Sequence, residues 1–127
     1  MEENYVVIDE YIYVEKKYPS GGTAREGYGY IRKIEAESDF ITIKAGEVFD
    51  LKLQCKIWNM ETNSYMIDEY VDYPIRVTFN NEAFNLPVTS GEAVISLFIE
   101  EAGRYTVGVD GGAKQVGGMY IGVTVNG

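Results

Sequence analysis

The chain has 127 residues, 20 acidic and 11 basic with no histidine, for a net charge of −9. At roughly 150 residues per domain this is one domain, large enough to bury about two-thirds of its unfolded surface. The charge argues against nucleic acid, whose binders neutralise phosphates with Lys and Arg, and the lack of histidine removes Ser-His and Cys-His catalysis and His-ligated metals.

Taken in chain order, the N-terminus Met1-Glu2-Glu3-Asn4 has no basic stretch leading into an apolar run. No secretory signal is therefore expected, and synthesis in the cytoplasm is. No segment approaches the ~18 apolar residues of a membrane span, so no membrane partner is expected. Residues 1–37 hold Tyr5, Tyr11, Tyr13, Tyr18, Tyr28 and Tyr30 of the chain's 11 tyrosines. Over residues 5–14, Tyr5, Val7, Asp9, Tyr11 and Tyr13 alternate with Val6, Ile8, Glu10, Ile12 and Val14, which predicts one strand. Residues 15–27 predict a long polar loop, and residues 28–35 a second strand. The two strands would form an N-terminal β-arm. A lone hairpin is marginal in water, so the arm must pack on its own domain or on another chain.

From residue 38 the period is two throughout. Ile41 and Ile43 flank Thr42. Phe49, Leu51, Leu53, Cys55 and Ile57 alternate with Asp50, Lys52, Gln54 and Lys56, the pattern of a strand with one buried face. Cys55, the only cysteine, excludes an internal disulfide and a multi-cysteine zinc site. Within that apolar pattern, with no histidine to activate it, it reads as a small core residue. Residues 59–74 predict a long connection with a short edge strand near Tyr65 and Tyr70, and Pro74 argues against a central strand there. Strands follow at Ile75-Val77-Phe79, Ala93-Ile95-Leu97-Ile99, Tyr105-Val107-Val109 and Met119-Ile121-Val123-Val125. The polar clusters Ala45-Gly46-Glu47, Asn80-Asn81-Glu82, Ser90-Gly91-Glu92 and Glu100-Glu101-Ala102-Gly103 mark turns between them, and 108–122 enclose a glycine-rich loop. Strands at this spacing predict a sandwich or barrel. Residues 38–127, about 90 in number, match the size of an immunoglobulin-like sandwich.

The run Val88-Thr89-Ser90-Gly91-Glu92-Ala93-Val94-Ile95-Ser96-Leu97, then Glu101-Ala102-Gly103-Arg104-Tyr105-Thr106-Val107, resembles the C-terminal half of bacterial and phage immunoglobulin-like (Big-type) domains. Ile43-Lys44-Ala45-Gly46-Glu47-Val48-Phe49 looks like that family's first hairpin. The resemblance implies an all-β, Ig-like β-sandwich of about seven strands with the N-terminal β-hairpin arm appended. It also implies a non-catalytic module of the kind that decorates virion or surface proteins or spreads subunits apart, here a phage or prophage protein mediating assembly or attachment; a particle assembled in the cytoplasm would carry it out by lysis. On physical grounds alone, a tyrosine opening a strand, as Tyr105 does, can return its hydroxyl to backbone a few residues upstream and pin the crossover.

Two groups of aromatics are candidate binding residues. Tyr5, Tyr11, Tyr13, Tyr28 and Tyr30 of the arm suit a protein partner or self-association, because tyrosine buries its ring while its hydroxyl stays wet. On this reading Tyr5, Tyr11 and Tyr13 share one face. The plain alternative is that the arm packs on its own sandwich. Trp58, Tyr65, Tyr70 and Tyr73, beside polar residues, suit a carbohydrate surface such as a surface glycan; the plainer reading is that they cover the edge of the core or a subunit contact. Glu61, Asp68, Glu69 and Asp72 lack the spacing of a calcium loop and read as a solvated acidic loop. No catalytic constellation, metal or cofactor is expected.

Overall fold

Residues that alternate apolar and polar can bury only one face, and here two such sheets bury theirs against each other. The structure is a computed structural model and describes residues 2–110 and 116–127. Its strands in chain order are β1 (Glu2–Ile8), β2 (Tyr11–Lys17), β3 (Thr23–Tyr30), β4 (Arg32–Ala36), β5 (Phe40–Lys44), β6 (Val48–Asn59), β7 (Ser64–Ile67), β8 (Ile75–Phe79), β9 (Glu82–Leu86), β10 (Glu92–Phe98), β11 (Gly103–Asp110), β12 (Val116–Gly117) and β13 (Met119–Asn126). No helix occurs among the described residues. The chain is all-β.

One layer of the sandwich runs β10-β6-β4-β12, with β7 also paired to β6, and the other runs β5-β13-β11-β8-β9. Their facing sides supply one continuous core. Leu51, Leu53 and Ile95 from the first layer meet Val77, Val107, Ile121 and Val123 from the second in a single buried cluster. Each fully buried Leu, Ile or Val adds about 1.5–3 kcal/mol. Cross-strand register keeps the inward residues opposite one another: Leu51 faces Ile95, Leu53 faces Ala93, and Val107 faces Ile121. The hydroxyl of Tyr105 donates to the Glu101 carbonyl at 2.9 Å, closing the corner that its position at a strand start predicts.

The sandwich holds more strands than the expected seven or so. β9 was hidden behind the Asn80-Asn81 cluster. Both asparagines have positive φ (54° and 64°) and so make a two-residue hairpin turn rather than a loop. The expected edge strand after residue 59 is present as β7, paired with β6 through Trp58 and Tyr65. β4 lies within residues 1–37, yet it is a strand of the sandwich: Ile34 pairs with Cys55 and is buried.

The arm departs further from expectation. It is a sheet of three strands in the order β1-β2-β3. Residues 5–14 are not one strand. Asp9 and Glu10 both have positive φ (51° and 62°) and turn the chain back on itself. Residues 15–27 are not a loop. Glu15, Lys16 and Lys17 extend β2, and the strand that answers them begins at Thr23. These polar stretches have no buried face to reveal them. Their charges instead pair across the strands, Arg25 with Glu15 at 2.9 Å and Lys16 with Glu26 at 3.1 Å. The tip of the 108–122 loop, singled out above, lies outside the described residues.

Candidate functional site

The hairpin turn at Asp9-Glu10 decides where the arm's tyrosines point. In continuous alternation Tyr5 and Tyr11 share a face. In a hairpin with two turn residues, Ile8 and Tyr11 become partners, and directly paired residues lie on one side. Tyr5 pairs with Val14 instead and falls on the opposite side from Tyr11 and Tyr13. The expectation that Tyr5, Tyr11 and Tyr13 share a face is therefore corrected. On β3 an extra residue, Tyr28, interrupts the register between Gly29 (opposite Ile12) and Gly27 (opposite Tyr13). The bulge lets Tyr28 and Tyr30 serve different faces.

The face carrying Tyr5 and Tyr28 docks on the end of the β6–β7 pair. Tyr5 lies 5.1 Å from Trp58 and Tyr28 5.4 Å from Trp58, ring centre to ring centre. Tyr65 meets Trp58 nearly perpendicularly at 5.1 Å and stacks over Tyr28 at 6.4 Å. Such pairs each add about 0.5–1.5 kcal/mol beyond the area they bury. Ile12, on this face of the arm, is fully buried. Neither Ile12 nor Trp58 belongs to the main core cluster, so the arm and sandwich share a small second core. Backbone ties reinforce it: Trp58 N–H donates to the Ile31 carbonyl at 2.7 Å and Ile31 N–H to the Glu10 carbonyl at 3.0 Å.

Trp58 is 7% exposed. Alternation along β6, with Leu51, Leu53 and Cys55 inward, places Trp58 on the outer side of its sheet, where it would be wet without the arm. This corrects the reading of Trp58 as a surface platform for sugar. Tyr65 is half-buried in the same cluster, while Tyr70 and Tyr73 are exposed and make no ring contact with it among the described residues. The carbohydrate set is not one surface.

The hydroxyl of Tyr65 donates to the Tyr30 carbonyl at 2.6 Å, and Lys33 Nζ sits 4.1 Å above its ring. Burial raises the Tyr65 pKa above the ordinary 10.0, with smaller contributions from Tyr28, Tyr11 and Glu35. A raised folded value means that the docked arm holds a proton which the undocked chain gives up. That contribution to docking is complete below the ordinary tyrosine pKa and declines as pH climbs through it towards the folded value. Titrated by ultraviolet absorbance, the wild type should show a late tyrosinate step that Tyr65→Phe lacks. A late step that persists in Tyr65→Phe would contradict the assignment.

The opposite face of the arm carries Tyr11, Tyr13 and Tyr30 together. Tyr11 lies 5.1 Å from both Tyr13 and Tyr30. Gly27 leaves room for the Tyr11 ring; a Cβ there would come within 3.2 Å of its hydroxyl. Val6 and Ile8, partners of Tyr13 and Tyr11, complete an apolar ladder, and Ile8 and Tyr30 are exposed. Between arm and sandwich runs an open groove of about 740 Å³ lined by Tyr28, Tyr30, Lys33, Glu35, Glu37 and Asp39.

The acidic connection uses its carboxylates locally. Asp72 accepts from Ser90 N–H at 2.8 Å and Asp68 from Tyr70 N–H at 3.3 Å. Cys55 is buried, and burial, then the neighbouring Asp68, raises its thiol pKa, so it stays protonated at neutral pH.

No family model matches the chain, and no curated protein matches it.

Proposed function

We propose that the chain is a non-catalytic interaction module, a β-sandwich whose docked arm presents a tyrosine face to a protein partner or to a second copy of itself. The observation that carries this reading is the division of labour within the arm. Tyr5 and Tyr28 pack on Trp58, while Tyr11, Tyr13 and Tyr30, with Val6 and Ile8, form a contiguous apolar and aromatic strip on the other side of the arm, in which Ile8 and Tyr30 are exposed, Val6, Tyr11 and Tyr13 are half-buried, and one edge of Tyr30 rests against Gly117 of the sandwich. Tyrosine-rich strips of this kind favour interfaces because each ring orders at small entropic expense and keeps a hydrogen-bonding tip. β1 is an edge strand, so a partner strand can also add to the arm's sheet. The charge of −9 keeps free chains apart before assembly. The setting in a phage or prophage virion follows from the resemblance of residues 88–107 to Ig-like domains and extends this reading.

The test is light scattering over a range of concentrations and salt. A self-associating chain should exceed its 14.3 kDa monomer mass as concentration rises, more readily at high salt, which screens the net charge. The combined change Tyr11→Ser, Tyr13→Ser and Tyr30→Ser should return it to the monomer with the sandwich intact. A wild type that is monomeric throughout would end the self-association role; assembly indifferent to the three changes would end the role of this face.

A further inference from the structure

We propose that the outer face of the β5-β13-β11-β8-β9 sheet is a binding platform for an acidic glycan, with sugar rings stacked on Phe40 and Tyr120. The inference does not rest on the arm, which docks on the other layer.

Alternation fixes what this face displays. Val107, Val109, Ile121 and Val123 point into the core, so Thr106, Gly108, Tyr120, Gly122 and Thr124 point out. Phe40 is 80% exposed and Tyr120 is 79% exposed. Neither ring stands free in water. A Cβ on Gly122 would lie 2.6 Å from Phe40 Cδ1, and one on Gly108 would lie 3.4 Å from Tyr120 Cε1. Each aromatic side chain is thus laid across a glycine of the neighbouring strand, against the backbone, with most of its surface turned to solvent. A side chain at Gly122 would displace the Phe40 ring.

The surroundings select the ligand. A protein interface centred here would need apolar side chains standing out around the rings, but the outward positions beside them on β11 and β13 are Thr106, Gly108, Gly122 and Thr124, and the apolar residues at the grooves, Phe79, Tyr105, Val116 and Met119, are half-buried. Hydroxyls beside planar rings suit a pyranose, whose C–H face stacks while its own hydroxyls hydrogen-bond. The charge on this face runs against the rest of the chain: Lys44, Arg76 and Arg104 point outward with Asp110 as the opposing acid, in a molecule of net charge −9. Arg104 makes no ion pair among the described residues and lines a groove of about 300 Å³ with Thr78, Asn80, Thr106 and Tyr120. A guanidinium in that position matches a sugar carboxylate. A second groove of about 440 Å³ lies beside Tyr120 and Asp110, so the ring separates two adjoining spaces, and the ligand is a chain rather than a single sugar.

The test is retardation of the whole protein in native gels cast with polygalacturonate, with hyaluronate or with neutral dextran. Retardation is expected in one or both acidic gels, weakening with salt, and absent in dextran. Tyr120→Ala should weaken it about tenfold and Tyr120→Phe should largely preserve it. Arg104→Glu should abolish it, with circular dichroism confirming the fold of each variant, and Met60→Ala at the exposed turn after β6 should leave it unchanged. Passage of the wild type through both acidic gels without retardation would overturn the proposal. So would equal retardation by dextran or by a single-stranded oligonucleotide, or wild-type behaviour of Tyr120→Ala and Arg104→Glu. Loss of self-association in those variants without any glycan retardation would reassign the face to a second copy.

Discussion

Trp58→Ala is expected to release the arm while the sandwich stays folded. The indole is the shared member of the second core: Tyr5, Tyr28 and Tyr65 all pack on it, and it is 7% exposed. Truncating a buried Trp to Ala removes about 3–5 kcal/mol. A small sheet with one covered face has little stability of its own to absorb that loss. The main core is a separate cluster, so the change does not open a cavity within it. Hydrogen exchange should show amides of β1, β2 and β3 losing protection while those of β6, β11 and β13 keep theirs. Trp58→Phe, which retains a ring, should fall between. Retained protection across the arm would mean that the backbone ties at Ile31 hold it without the indole. Simultaneous loss in the sandwich would mean that arm and sandwich unfold as one unit.

The sandwich was legible because its strands are half-buried. Phe49 through Ile57 alternate without a break, and the structure places Leu51, Leu53 and Cys55 in the core as that alternation requires. The same logic failed where strands bury little. β9 and the outer parts of β2 and β3 satisfy their backbones in ladders, and β2 and β3 pair their charges across the strands, so no period of apolar residues marks them. The turn at Asp9-Glu10 escaped for a different reason. Two turn residues leave the printed alternation unbroken while the chain reverses, and only the positive φ at both positions separates a hairpin from a strand. Acidic residues before a strongly β-branched and aromatic run were the one available signal.

That single turn also explains how much of the candidate site could be read. Tyr5, Tyr11, Tyr13, Tyr28 and Tyr30 were recognisable as a group by enrichment, but their division between two faces depends on pairing partners that one-dimensional spacing cannot supply. Trp58 drew the carbohydrate reading because polar residues lie beside it, and it does fall on the outer side of β6; its burial is a tertiary effect of the arm folding over it. Phe40 and Tyr120 drew no notice because neither sits in an aromatic cluster along the chain. Sheet pairing brings Phe40 opposite Gly122, across strands far apart in sequence, and Tyr120 opposite Gly108 on the neighbouring strand.

Gly91→Ala is expected to destabilise the sandwich by more than about 3 kcal/mol, against about 1 kcal/mol for Gly46→Ala. The two glycines have nearly the same backbone, φ +78° and +79°. Each therefore incurs the penalty of placing an L side chain in the left-handed region. They differ in space. A Cβ at Gly46 meets nothing within 4 Å, whereas one at Gly91 would overlap the carbonyl oxygen of Asp68 and come within 3.0 Å of Ile67 Cγ2. Neither side can readily yield. Gly91 N–H donates to the Val71 carbonyl at 3.0 Å, and Cys55 N–H donates to the Gly91 carbonyl at 2.7 Å. Asp68 is held in turn by its N–H to the Cys55 carbonyl at 2.8 Å, and Ser90 by Asp72. Moving the turn to admit a methyl group breaks this ring of hydrogen bonds beside the core strand β6, and buried donors left without partners each add about 1–3 kcal/mol. Urea melts of the two variants measure the difference directly. Midpoints lowered equally would show that the 89–92 turn relaxes away from Asp68 and that backbone conformation alone sets the effect.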